Sequence, residues 1–302
     1  MKFGVGLENY GTNITFDAIC RVALAAEQIG YESVWTTDHV IVPRENAEPY
    51  GRIFECIVTL AMVAAITQRV RLGTSIIVLP MRNPVLFAKQ AASIDAASGG
   101  RMIVGVGVGW NEPEYKNLNA NFKNRGKRLD EDISLLRTLW SSERANFHGK
   151  YTHIADSIFA PLPAQTVAPS GESGIPIWIG GSSESSWKRA ARLGDGWHPV
   201  GAPPESFAAG VKYIQEHQPM RPLVFSVRLS IDMNPKVPHT YEHRGRLLRR
   251  LTGSDDDIRS TLREYASAGS EHTVLFFPMD DIAVTLKQME RFMRDIAPEF
   301  EG

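Results

Sequence analysis

The chain has 302 residues, with 33 Lys and Arg against 34 Asp and Glu, a formal net charge of -1 at pH 7. That balance argues against a nucleic-acid partner, and the longest apolar runs, 58–66 and 76–80, are too short or too broken for a membrane span. Met1-Lys2-Phe3-Gly4 leads straight into strand-like sequence with no charged leader and apolar segment, so a cytoplasmic location is the expectation.

Strand and helix patterns then alternate. Residues 3–7 read as a strand, and 15–29 place Ile19, Val22, Ala23, Ala26 and Ile29 at helical spacing before a Gly30 stop. A second strand at 33–37 precedes an irregular, proline-broken stretch at 42–52, long enough to be functional. Helix 54–68, strand 70–79, a proline-opened helix at 84–97, strand 102–108 and helix 125–140 follow. The rhythm breaks at 147–174, where Pro161, Pro163 and Pro169 mark an inserted hairpin and loop. It resumes with strand 175–179, helix 183–193, strand 196–199, helix 204–216 and strand 223–233. Helix 254–268 carries Asp255, Asp256 and Asp257 in its first turn, and strand 272–277 and helix 281–296 close the series.

Eight strand-helix units in about 300 residues is the size of a (β/α)8 barrel with insertions. An open doubly wound sheet has a similar local pattern, but short apolar strands throughout and no half-chain boundary favour the barrel. The predicted fold is therefore α/β, a (β/α)8 TIM barrel as one domain over 1–302 with an insert at about 147–174.

Barrel chemistry is built at the C-terminal ends of strands. That rule selects Glu8 and Asn9, Asp38 and His39, Thr74-Ser75-Ile76, the run Gly105 to Asn111, Gly180-Gly181-Ser182, and Trp197-His198. Asp38-His39 is the only adjacent acid-histidine pair among them, suited to proton exchange near neutral pH or equally to a structural histidine with a turn aspartate. Gly180-Gly181-Ser182 reads as a phosphate cradle at a helix start or as an ordinary turn capped by Ser182 or Ser183. Gly105-Val106-Gly107-Val108-Gly109 is not a dinucleotide fingerprint, because the third glycine comes one residue early and Pro113 follows. It leaves room for a flat ring or for close strand packing.

Other chemistries lack their residues: no His-x-His for a barrel metal site, no strand-interior lysine for a Schiff base, no G-x-S-x-G elbow or P-loop. Cys20 and Cys56 sit in different helical patterns and read as packed, reduced thiols, so no metal is expected.

The order and spacing of Tyr31 to His39, Arg71 to Ser75, Asn83-Pro84, Lys89-Gln90, Ser98 to Arg101, Gly105 to Gly107 and Ile179 to Trp197 resemble the luciferase-like monooxygenase superfamily, in its branch using the deazaflavin coenzyme F420. The resemblance covers essentially the whole chain. It implies a ring system across the barrel mouth, with Asp38 and His39 beside it and Ser75-Ile76 as a strand bulge with a non-proline cis peptide. It also implies Gly107 and Gly109 under the ring, Gly180, Gly181 and Ser182 on the phosphate, and a homodimer. His39 would stabilise charge on the ring or relay a proton, with Asp38 orienting or tuning it.

The sugar-phosphate dehydrogenases of that branch carry a carboxylate after the fourth-strand glycines and a tryptophan four residues after the histidine, where this chain has Trp110 and Pro43. A sugar-phosphate reaction is therefore not expected, and a needed acid would come from Glu8 or Glu112. The leading expectation is F420-dependent hydride transfer with a small, apolar organic substrate. The alternatives are an oxygen-using monooxygenase with flavin mononucleotide (FMN) and a non-catalytic flavin- or deazaflavin-binding protein.

Overall fold

A computed structural model of the chain describes residues 1–168, 171–172, 174–218, 222–234, 236–243 and 245–300. The strands are β1 (Lys2–Gly6), β2 (Ser33–Thr36), β3 (Arg71–Thr74), β4 (Met102–Val106), β5 (Arg144–His148), β6 (His153–Ile158), β7 (Ile177–Gly180), β8 (Gly196–His198), β9 (Val224–Asp232), β10 (Thr240–His243), β11 (Arg246–Thr252) and β12 (His272–Phe276). The helices are α1 (Phe16–Ile29), α2 (Cys56–Ile66), α3 (Pro84–Ser98), α4 (Glu112–Asn117), α5 (Arg125–Ser141), α6 (Glu184–Leu193), α7 (Pro204–His217), α8 (Asp255–Ser267) and α9 (Ile282–Arg291).

Strands β1, β2, β3, β4, β7, β8, β9 and β12 pair in parallel in that order, and β12 pairs back onto β1. This is the closed eight-stranded (β/α)8 barrel that the alternation predicts. Trp35, Ile103, Trp178, Val274 and Phe276 fill its interior, while a larger apolar layer lies between strands and helices. The alternation of side chains along each strand produces these two layers.

Local chemistry sets the helix ends. Thr15 accepts from Ala18 N at the start of α1, and Gly30 ends it in the left-handed region. Asn83 caps α3 with Pro84 in its first turn, and Ser254 with Asp257 closes a capping box on α8.

Four features differ from the sequence expectation. β3 stops at Thr74 instead of running to 79, since the chain leaves the ladder at the cis Ser75-Ile76 peptide and enters a 3-10 turn at Leu79–Met81. The hairpin starts at Arg144, directly after α5, three residues before 147, and Pro169 of the expected loop lies outside the described residues. The short α4 was not predicted. Nor was the β10–β11 hairpin, which β9 recruits because its last residues, 230–232, run past the barrel wall and pair with β11.

Candidate active site

At the barrel mouth, His39 follows β2 and is 6% exposed. Its Nδ1 lies 2.7 Å from Oε2 of Glu114, itself 1% exposed on α4. Oε1 of Glu114 accepts from the Val40 and Ile41 amides at 2.7 and 3.3 Å. Burial pushes the Glu114 carboxyl up, but the bonds from His39, Val40 and Ile41 outweigh it and hold it below the ordinary carboxylate range. An ionised Glu114 makes His39 Nδ1 the donor and leaves Nε2 for a ligand. Tyr50 packs 4.5 Å from the imidazole, and Trp110 stands edge-on at 5.8 Å.

Asp38 turns the other way. Its carboxylate accepts from the Val78 amide at 2.9 Å and from Arg82 at 2.5 and 3.3 Å. It is bound to the turn after the bulge, and Glu114 takes the imidazole-orienting place expected for Asp38. Of the two reserve acids, Glu112 is exposed on α4 and Glu8 is half-buried just after β1.

The Ser75-Ile76 peptide is cis. It directs Ile76 across the ends of β4 and β7, and the glycines there accommodate it. A Cβ on Gly107 would stand 1.9 Å from Ile76 Cδ1, and one on Gly180 2.9 Å from the same atom. Gly109, at φ +63, meets Val78 in the same way at 2.6 Å. Ile76 thus joins Ser75, Gly107 and Gly180 in one patch, and Gly109 packs on Val78, whose amide donates to Asp38.

Opposite the bulge, Arg228 donates to the Ser75 carbonyl at 2.7 Å, to Thr37 Oγ1 at 3.1 Å and to the Tyr10 hydroxyl at 3.3 Å. Its guanidinium lies 3.5 Å over the Phe276 ring. Glu8 accepts from the Met279 amide at 3.3 Å. Burial pushes its carboxyl up to about 7, with Arg228 opposing, the range suited to a general acid or base near neutral pH.

β7 ends at Gly180, Gly181 sits at φ +100, and Ser183 caps α6 by accepting from Ser186 N. Trp197 Nε1 fixes the Gly181 carbonyl at 2.8 Å. Arg246, from the β10–β11 hairpin, donates to Ser182 Oγ. A side-chain-free turn, a helix start and a guanidinium therefore converge, which suits an anionic group. Val40, Ile41 and Trp110, respectively 44, 51 and 40% exposed, give the His39 side apolar surface that suits a planar ring. The donors and contours present fit a phosphorylated deazaflavin.

Glu114, Arg228 and Arg246 were not selected from the sequence. Arg228 had a signal, a lone cation within the apolar run Val224 to Ile231, whereas Glu114 and Arg246 lie on elements not foreseen.

Residues 1–229 match a family described as luciferase-like monooxygenase. An uncharacterised protein of Mycobacterium tuberculosis (strain ATCC 25618 / H37Rv) is 35% identical over 222 residues, covering 68% of this chain and 73% of that protein. The F420-dependent glucose-6-phosphate dehydrogenase of Amycolatopsis mediterranei is 35% identical over 183 residues, covering 59% of this chain and 52% of that enzyme. Among solved structures, a monooxygenase from Streptomyces bottropensis superposes with a TM-score of 0.80 at 20% identity, covering 100% of both chains.

Proposed function

The chain belongs to the luciferase-like monooxygenase family, and from that premise we propose that it is a coenzyme F420-dependent oxidoreductase transferring a hydride to or from a small organic substrate. The likeness to the dehydrogenase of Amycolatopsis mediterranei, named as F420-dependent, supports the cofactor. The observation that carries the reading is the buried His39–Glu114 pair, on the same strand-end rim of the barrel as the Ser75-Ile76 bulge and the Gly181–Arg246 cradle.

Ile76, on its bed of Gly107 and Gly180, would support the ring's face, and Gly181, Ser182 and Arg246 would hold the phosphate. When bound, a deazaflavin supplies two-electron hydride chemistry, since it lacks the ring nitrogen through which reduced flavins react with oxygen. His39 holds or moves a proton at Nε2, its tautomer fixed by Glu114. Glu8 is the residue for a substrate proton: it follows β1 at the strand-end rim within reach of the Arg228 charge, and burial keeps its carboxyl near neutrality in pKa. Trp110, where sugar-phosphate dehydrogenases carry a carboxylate, supports a less polar substrate.

The dimer belongs to the same proposal. Val58, Met62 and Ile66 recur at four-residue spacing on α2 and are exposed, an apolar stripe on the outside of the barrel. Pairing with a second copy would remove that stripe from water.

The test is an anaerobic titration of the protein with coenzyme F420 and, separately, with FMN, followed by tryptophan fluorescence, with Trp110 as a reporter 5.8 Å from His39. Tight binding of the deazaflavin and no oxygen consumption are expected. Preferential binding of FMN with oxygen uptake would replace this reading by the monooxygenase one.

A further inference from the structure

A chain of polar side chains crosses the barrel interior from floor to mouth. Trp35 Nε1 lies 2.8 Å from Ser33 Oγ, and Ser33 Oγ lies 2.9 Å from His272 Nε2. His272 Nδ1 lies 3.1 Å from Ser226 Oγ, Ser226 Oγ 2.8 Å from His198 Nδ1, and His198 Nε2 2.9 Å from Ser75 Oγ. Ser33 and His272 are the first residues of β2 and β12; His198 is the last of β8, and Ser75 follows the end of β3.

Both imidazoles are neutral. Burial pushes His272 down to about 3 and His198 well below the ordinary histidine range. Each of the six groups then has one N–H or O–H hydrogen, and the chain has five contacts. One hydrogen is surplus. Trp35 Nε1 always donates to Ser33, and both nitrogens of each imidazole lie in contacts of the chain, so its single N–H is always used and the surplus falls on Ser33, Ser226 or Ser75. Ser33 and Ser226 are 0% exposed and have no bond outside the chain among the described residues. A hydroxyl hydrogen left unpaired there carries its full desolvation cost. Ser75, itself 1% exposed, is the one of the three that lies past the C-terminal end of its strand, in the bulge where a ligand would supply an acceptor.

We propose that the chain is polarised from Trp35 to Ser75, so that Ser75 is presented as a hydrogen-bond donor to the group bound over the bulge. Ser33 donates to His272, His272 to Ser226, Ser226 to His198 and His198 to Ser75. The four inner residues and Trp35 are positioning residues. The identity of the bound group rests on the proposed function; the polarity does not.

Each placement of the surplus hydrogen gives a different pair of tautomers. The proposed one has His272 protonated at Nδ1 and His198 at Nε2. A surplus on Ser33 reverses both, and a surplus on Ser226 puts both protons on Nδ1. Long-range proton–nitrogen NMR spectra of the 15N-labelled, unliganded chain read the tautomers directly, with assignments from His198→Gln and His272→Gln. His198 carrying its proton on Nε2 and His272 on Nδ1 between pH 6 and 8 is the expected result; His198 protonated on Nδ1 overturns the proposal. With coenzyme F420 as the probe, Ser75→Ala and Ser226→Ala are each expected to weaken binding about threefold to tenfold, and Ser226→Thr to restore it. Wild-type affinity in both alanine variants overturns the donor role. Failure of the unmodified protein to bind the coenzyme overturns the proposed cofactor alone, because the tautomers are measured without it.

Discussion

The imidazole of His39 and the carboxylate of Glu114 meet at 2.7 Å across 75 residues of chain. One follows the second barrel strand, and the other sits on a six-residue helix after the fourth. Glu114 fixes which nitrogen of His39 faces the mouth, so the pair acts as one unit.

Replacing Glu114 by Gln is expected to lower turnover by about tenfold to a hundredfold while coenzyme affinity changes little, since losing the partner that orients His39 forfeits part of the roughly hundredfold or more that a positioned acid–base group contributes. The pH dependence has a fixed sign. The Glu114 carboxyl lies below its ordinary value of 4.5 in the folded chain. Its stabilisation is therefore complete above that value and drains away as pH falls through it. Urea unfolding of wild type and Glu114→Gln should differ most above pH ~5 and converge in acid; a gap unchanged down to pH ~3 would contradict the assignment.

Glu8 carries the opposite sign. Its folded value is raised from 4.5 to about 7, so its contribution is complete below the unfolded value and is lost as pH rises through neutrality. Relative to Glu8→Gln, wild type should lose up to about 3 kcal/mol of stability between pH ~5 and ~8. The same variant should remove a limb near neutrality from the pH–rate profile. Parallel stability curves for the two proteins would refute the shift.

The contact between Ile76 and Gly107 is testable by a double-mutant cycle. A Cβ at Gly107 would stand 1.9 Å from Ile76 Cδ1, so Gly107→Ala is expected to cost about 1–3 kcal/mol by overpacking. In the Ile76→Ala background that cost should largely vanish, a coupling of about 1 kcal/mol or more. Simple additivity in denaturant unfolding would mean that the glycine serves something other than Ile76.

Arg246 is predicted to act on the anionic part of the coenzyme only. Arg246→Ala should weaken coenzyme binding about tenfold at low salt, less at high salt. It should leave a phosphate-free deazaflavin riboside unaffected. Equal losses for both ligands in fluorescence titrations would place the arginine elsewhere.

Met62→Glu puts a charge in the middle of the exposed α2 stripe. Sedimentation velocity is expected to give a dimer for wild type and a monomer for the variant. Identical masses for the two would remove α2 from the interface.

Much of this molecule was legible in the residues themselves, because strand and helix periods, proline and glycine stops and serine caps act over a few neighbours. Gly30 stops α1, Pro84 opens α3 and Ser183, one of the two serines that could cap it, starts α6, and the alternation implied eight barrel strands. The strand-end rule also collected Asp38, His39, Ser75, Ile76 and the glycines, since closing a barrel brings all its strand ends to one rim. Partners across that rim were not legible. That Glu114 orients His39 while Asp38 binds Arg82, that Arg246 reaches Ser182, and that Ser75 joins His198, Ser226, His272 and Ser33 depend on side chains from different strands and helices meeting at hydrogen-bond distance. Such contacts leave no period and no local motif in the sequence, so only the closed barrel decides them.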